Sequence, residues 1–544
     1  MSAMLPMSCP MMRSLMVTAL LLAASLPAHA ASPAPGEVLD KDQSFTFWLP
    51  DAVKSLDPQK NADAEGAEVI RQLFEGLMDE DASGAMQPGV ASSVEISPDR
   101  LTYVFHLRPE AKWSNGEPVT AQDFVYAWQR LADPELGSEN AWRLELMHVL
   151  NASEVLRGKM KPAELGIKAL DAHRLQVVLS QPTPYFLNTL SHPATYPVPR
   201  KTLQAQGDAW TAPGKLVGNG AYLLKAHDLG VSISLEKNPK YWDAAHVLMQ
   251  KVKGVTIADP AEALKRYRAG GLDRVQIPAG DDRKLAEERP GEVVSMPYAC
   301  TYAYLVNMAD NAPAALRDPR VRQALAYAIQ PEVVVERILQ GGQRPAASWT
   351  HWAIQGFHPP QSEGAGWSAA ERQQKATELL AAAGYSPDHP LKLDLITTGS
   401  EDDRKLAAAA VEFWKSIGVK VSSKDLPWKQ HAEQLSAGEF QLARYAWCAD
   451  YNEASSFLNL LRGSKPNYGR YASPEFDRLM TDADGAADPG PDYTRAEALL
   501  AQDMPLIPVY HYGRFELIRP QIRGLSRVNA LNAWWAKDLY RVAP

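Results

Sequence analysis

Residues 444–453 read RYAWCADYNE, which sets one cysteine among aromatic residues and two acids. Cys448 in that setting has three chemical uses: nucleophile, metal ligand or half of a disulfide. A metal site needs further ligands at suitable spacing, and the 12 histidines form no HxxxH cluster, nor is there a CxxC. No metal or cofactor is therefore expected. The usual catalytic signatures are absent as well: no G-x-S-x-G, no H-E-x-x-H, no phosphate-binding loop and no G-x-G-x-x-G. Paired acids at 79–80, 281–282 and 402–403 lie in polar stretches and read as solvated loops. A secreted hydrolase with two carboxylates distant in sequence is the outside alternative, and the expectation is a protein that is not an enzyme.

The compartment bears on the cysteines. Arg13 precedes the apolar run LMVTALLLAASL at 15–26, followed by Pro27 and AHA at 28–30. That order of charge, apolar run and small residues is an export signal cut after Ala30, and the run is short for a membrane span of about 20 residues. Cys9 leaves with the signal, so the exported chain keeps Cys300 and Cys448. In an oxidising compartment two such cysteines most often pair, with two free buried thiols as the alternative. The net charge of −8 and pI near 5.9 argue against nucleic acid as a partner.

Helical and strand periodicities alternate along the chain. Apolar residues at 69, 70, 73, 74, 77 and 78 predict a helix over 65–78, closed near Gly76. Tyr103, Phe105 and Leu107 alternate as in a strand. A helix is expected from Thr120 with Asp123 completing a capping box, another from Asp318 and Pro319, and a third over 372–385 ended by Gly384. This mixture predicts an α/β protein. At 544 residues it is long enough for several domains.

Ordered motifs then carry a resemblance. SLDPQK (55–60), LFEGLM (73–78), FHLRPEAKWSNGEPVTAQDFVYAWQR (105–130), VGNGAYLL (217–224), NPKYW (238–242), DPRVRQALAYAI (318–329) and RYAWCADYNEASSFLN (444–459) are similar to stretches of the periplasmic oligopeptide-binding proteins. These are the solute-binding components of ABC peptide importers. The resemblance implies a type II-like periplasmic binding protein, two lobes closing on a cleft with an extra inserted domain. Domain I would comprise 31–74, 199–299 and 515–544, domain II the insertion 75–198, and domain III 300–514. It implies a monomer in the periplasm that captures short peptides and hands them to a membrane-embedded ABC permease.

It also implies roles for residues. Asp450 would receive the peptide amine, and backbone around Ala446 and Cys448 would flank the peptide as a strand. Trp447 and Trp428 would line side-chain pockets, Arg444 would be available to a carboxylate or would pair internally, and Cys300 would be bonded to Cys448. The chain departs from the family pattern elsewhere. Ala62 and Asn140 replace an expected glutamate and tyrosine, while Leu339, Asp403 and Leu435 stand where relatives carry lysine, histidine and arginine. The amine end is then retained and the carboxylate end rebuilt. This favours a restricted ligand, such as a modified or murein peptide, or one with a cation for Asp403. Arg404 and Lys405 are the neighbouring partners that Asp403 would otherwise take.

Overall fold

The computed structural model describes residues 31–360, 363–364, 366–463 and 467–544; the export signal expected at 1–30 lies outside the described residues. Strand β1 (Ser44–Leu49) buries Phe45, Phe47 and Leu49 on one face, the period of two expected of a half-buried strand. Helix α1 (Ala64–Leu73) begins at Asp63, whose carboxylate accepts from the Gly66 N–H at 2.6 Å.

The expected helix over 65–78 ends early, at Leu73. The Gly220 N–H takes the Leu73 carbonyl at 2.9 Å, and a Cβ on Gly218 would lie 2.1 Å from that same oxygen. A glycine-bearing loop thus docks where the next helical turn would have formed. The chain runs on into the short strand Met78–Glu80. There the acids expected in a solvated loop are buried: Asp79 is 2% and Glu80 1% exposed. Lys537 at 2.8 Å from Asp79, and Ser191 and Asn529 on Glu80, supply the partners that such burial demands.

A separate antiparallel sheet follows, of β2 (Ala91–Ile96), β3 (Thr102–Leu107), β4 (Ile167–Ala169) and β5 (Arg174–Val178) in the order β2–β3–β5–β4. Helix α2 (Ala121–Ala132) packs beside it, entered through the expected capping box, with the Thr120 N–H donating to Asp123 at 2.8 Å. The short helix α3 (Arg143–Leu146) comes next.

All other long strands join one sheet: β6 (Tyr222–Asp228), β7 (Ser232–Lys237), β8 (Lys251–Thr256), β9 (Arg274–Gln276), β10 (Val293–Val306), β11 (Lys392–Thr397), β12 (Lys420–Asp425), β13 (Leu442–Cys448) and β14 (Leu506–Ile518). With β1 the order is β12–β11–β13–β10–β14–β9–β1–β8–β7–β6, and Arg344–Pro345 adds to β14. Strands β10 and β14 run antiparallel, paired over Val293–Pro297 and again over Thr301–Leu305, the first half of β10 opposite the last half of β14. Their register breaks between Pro297 and Thr301, where proline offers no N–H to the ladder. Two halves of the sheet therefore meet at one irregular pair of strands. The C-terminal half is flanked by α4 (Pro319–Ala328), α5 (Ala369–Ala382), α6 (Glu401–Ser416) and α7 (Trp428–Ala437). α4 starts at Asp318, and Gly384 takes the left-handed conformation just beyond α5.

Candidate functional site

Strand β13 has two unlike edges. Along one it pairs with β10 from Cys448↔Cys300 to Leu442↔Val306; along the other β11 covers only Leu442 and Ala443. Among the described residues no strand covers the second edge from Arg444 to Cys448. A strand edge of this kind presents unpaired N–H and C=O groups to an extended chain. Ala446 and Trp447 are half-buried along this stretch and Cys448 is exposed. Cys448 and Cys300 face each other across the ladder and are joined by a disulfide.

Asp450 lies two residues beyond the strand. Its N–H donates to Ser456 Oγ at 2.8 Å, which fixes the backbone. Its half-buried carboxylate has no hydrogen-bond or ion-pair partner among the described residues. Burial pushes its pKa up from the ordinary value, and Arg143 counters that effect. The neighbouring residues are held firmly. Tyr451 stacks on Tyr185 with ring centroids 4.4 Å apart, and the Asn452 amide donates to the Gly84 carbonyl at 3.1 Å. The result is an anchored loop that presents one unmatched acid.

The aromatic candidates divide. Trp428 opens α7 and is 65% exposed, stacked at 6.0 Å on the ring of His431, so it is not a core residue. Trp447 is half-buried, with its indole N–H enclosed and unpartnered.

Arg444 is engaged within the protein. Its Nε donates to Asp403 Oδ1 at 3.2 Å, and its guanidinium lies 5.3 Å over the ring of Tyr302. Burial works against the arginine's charge, but Asp403 together with Tyr512 and Tyr302 outweighs it and the pKa is raised. Asp403 also accepts from the Thr398 hydroxyl and is 4% exposed, which corrects its reading as a solvated loop acid. Its near neighbours are not its partners: Arg404 lies 3.7 Å from Asp425, and Lys405 pairs with Glu401 at 2.7 Å. Leu339 and Leu435 are buried in apolar clusters. Ala62 is exposed, and the Asn140 amide donates to the Asn61 carbonyl at 2.6 Å.

Residues 85–469 match the family described as bacterial extracellular solute-binding proteins, family 5 Middle. The chain belongs to this family. Its periplasmic relative OppA of Salmonella typhimurium is an oligopeptide-binding protein, 40% identical over 527 residues, 96% of either chain. The unliganded open form of MppA, a periplasmic murein tripeptide binding protein, superposes with a TM-score of 0.89 at 37% identity, covering 94% of this chain and 99% of that one. OppA of Haemophilus influenzae in complex with RPPGFSPFR gives 0.68 at 34% identity, covering 93% and 100%. The fold is accordingly the two-lobed, type II-like one with an inserted domain, as the motifs implied.

In this family 5 protein part of the motif set is structural. Arg130 makes a two-pronged bond to Asp57, at 2.8 and 2.6 Å, and binds Gln59 at 2.7 Å, which ties α2 to the SLDPQK loop. Among the described residues there is no group of three or more His, Cys, Asp or Glu able to hold a metal, and no helix long and apolar enough to cross a membrane. Sequence order did not single out Arg143, the first residue of the short helix α3, whose charge acts on Asp450 from far away in the chain.

Proposed function

We propose that this protein is an exported, periplasmic, monomeric receptor that captures short peptides by their free amine and delivers them to an ABC importer. It acts by retention and release, without turnover and without a cofactor. Asp450 receives the α-ammonium, and the peptide runs as an added strand along Arg444–Cys448. Trp447 and Trp428 flank its side chains. One observation carries the reading: a half-buried carboxylate without a protein partner stands at the end of an uncovered strand edge. A desolvated ammonium needs a fixed anion, and a desolvated backbone needs ladder partners; here both are adjacent. Membership in family 5, with oligopeptide and murein-peptide binders among its relatives, supports the same conclusion.

The far end of the site supports a restricted or modified ligand, a murein peptide being one such case. With Asp403 on Arg444 and leucines at 339 and 435, that end offers donors without net positive charge. The lobes, domain I (31–74, 199–299, 515–544) carrying insertion 75–198 and domain III (300–514), would close about β10 and β14. The higher TM-score with an open form than with a peptide complex, at similar identity, supports an open resting state.

Calorimetric titration of the exported chain with tripeptides tests this. Asp450→Ala should weaken binding by about 100-fold or more, the scale of losing a desolvated charge-assisted bond, with the circular dichroism spectrum unchanged. Equal affinity in the variant would reject the role of Asp450, and release of peptide fragments would identify a hydrolase instead.

A further inference from the structure

Most deeply placed cations in this protein are matched. Arg274 binds Glu516 at 2.7 Å, Arg130 binds Asp57, Lys537 binds Asp79, and Arg322 is held by backbone carbonyls. Arg143 is an exception. It is half-buried, and among the described residues it makes no ion pair. Its Nε donates to Asn140 Oδ1 at 3.4 Å, and its guanidinium lies 4.7 Å over the ring of Trp142. These two contacts orient the planar fork while leaving its outer N–H groups without a protein acceptor.

The fold brings this fork to Asp450. The Tyr185 hydroxyl donates to the carbonyl of Leu146, the last residue of α3, while its ring stacks on Tyr451, next to Asp450. Asn140 holds the other side, on the Asn61 carbonyl. Arg143 and Asp450 influence each other's charge, yet they form no ion pair within 4 Å. Arg71 adds positive charge nearby and makes no ion pair among the described residues, its Nε enclosed and unpartnered among them. An unmatched cation and an unmatched anion held apart in one partly desolvated corner are complementary to a ligand bearing both charges. A lone ammonium would satisfy Asp450 and leave Arg143 unpaired, at the cost of an uncompensated buried charge.

We propose that Arg143 is a specificity residue, binding a carboxylate that the peptide carries within its first two residues, beside the amine held by Asp450. This rests on the peptide-binding reading. The carboxylate has two chemical sources, an Asp or Glu side chain or the α-carboxylate of a γ-linked glutamate, and both present the planar pair of oxygens that a guanidinium grips.

Calorimetric titration of the exported chain with Glu-Ala-Ala, Ala-Glu-Ala and Ala-γ-Glu-Ala, each against its glutamine or amide counterpart, tests the inference. The acid in at least one pair should bind about tenfold tighter than its neutral counterpart, the scale of one charge-assisted hydrogen bond. Whichever pair shows the preference identifies the source. Arg143→Gln should abolish the preference while keeping the neutral peptide's affinity within about twofold, and Arg143→Lys should keep part of it. Retained binding of the neutral peptide also reports that the variant is folded. Peptides that bind with no acid preference, or a variant weakening acid and neutral forms alike, would overturn the role of Arg143. Failure of every peptide to bind would overturn the peptide reading and this inference together.

Discussion

Asp403 changes what Arg444 can offer a ligand. An arginine facing a cleft alone is a strong carboxylate site, whereas the same arginine carrying a buried aspartate is a neutral pair that still has N–H donors to give. Asp403→Asn should restore the charge while keeping an acceptor for Thr398. The ratio of affinities for a peptide acid over its C-terminal amide should then rise by about tenfold for peptides short enough to end there. Paired titrations of acid and amide read this, and an unchanged ratio would place the ligand's end away from Arg444. The sequence showed Arg444 and Asp403 as two charged residues 41 positions apart; only the approach of α6 to β13 makes them one group.

At the scale of elements, local signals were legible where local physics governs. The Thr120–Asp123 capping box, the Asp318–Pro319 helix start and the alternation of β3 all lie where their residues predict. The end of α1 was not legible, because its last turn is displaced by a loop from residue 220, far along the chain. The joint between α2 and the SLDPQK loop is likewise tertiary. Arg130→Met should cost about 3–5 kcal/mol, since it strands Asp57, whose side chain is 6% exposed, without its cation. Chemical denaturation would measure that loss. A change below about 1 kcal/mol would mean that Gln59 and Trp210, which also bind in this cluster, satisfy Asp57 by themselves.

The whole molecule turns on two long strands that belong to both halves of the sheet. Peptide should draw the lobes together about β10 and β14, so the radius of gyration from small-angle X-ray scattering should fall on adding ligand. The Asp450→Ala variant should show no such fall at the same concentration. Stability should also depend on pH through the acids buried where the N-terminal and C-terminal segments meet. Burial holds Glu75 and Asp538 each up to about 7, against about 4 in an unfolded chain. Between those values the folded state binds more protons than the unfolded one, so these groups stabilise most below about pH 4, and that contribution is lost as pH rises through about 7. Calorimetric melting from pH 4.5 to 8 should show Asp538→Asn with a shallower decline than the parent, by about 1 kcal/mol or more across the range. Parallel curves would show that Lys537 keeps Asp538 ionised throughout.

The sequence by itself determined the α/β class, the helix starts at Thr120 and Asp318, and the family, because these rest on local propensity and contiguous motifs. The export signal expected from it at 1–30 lies outside the described residues. Tertiary structure alone decided that Asp79, Glu80 and Asp403 are buried, that Arg444 is paired with Asp403, that no described strand covers β13 from Arg444 to Cys448, and that the charge of Arg143 acts on Asp450. Each of those depends on groups tens to hundreds of residues apart meeting in a low-dielectric setting, where a charge must find a partner or wait for one.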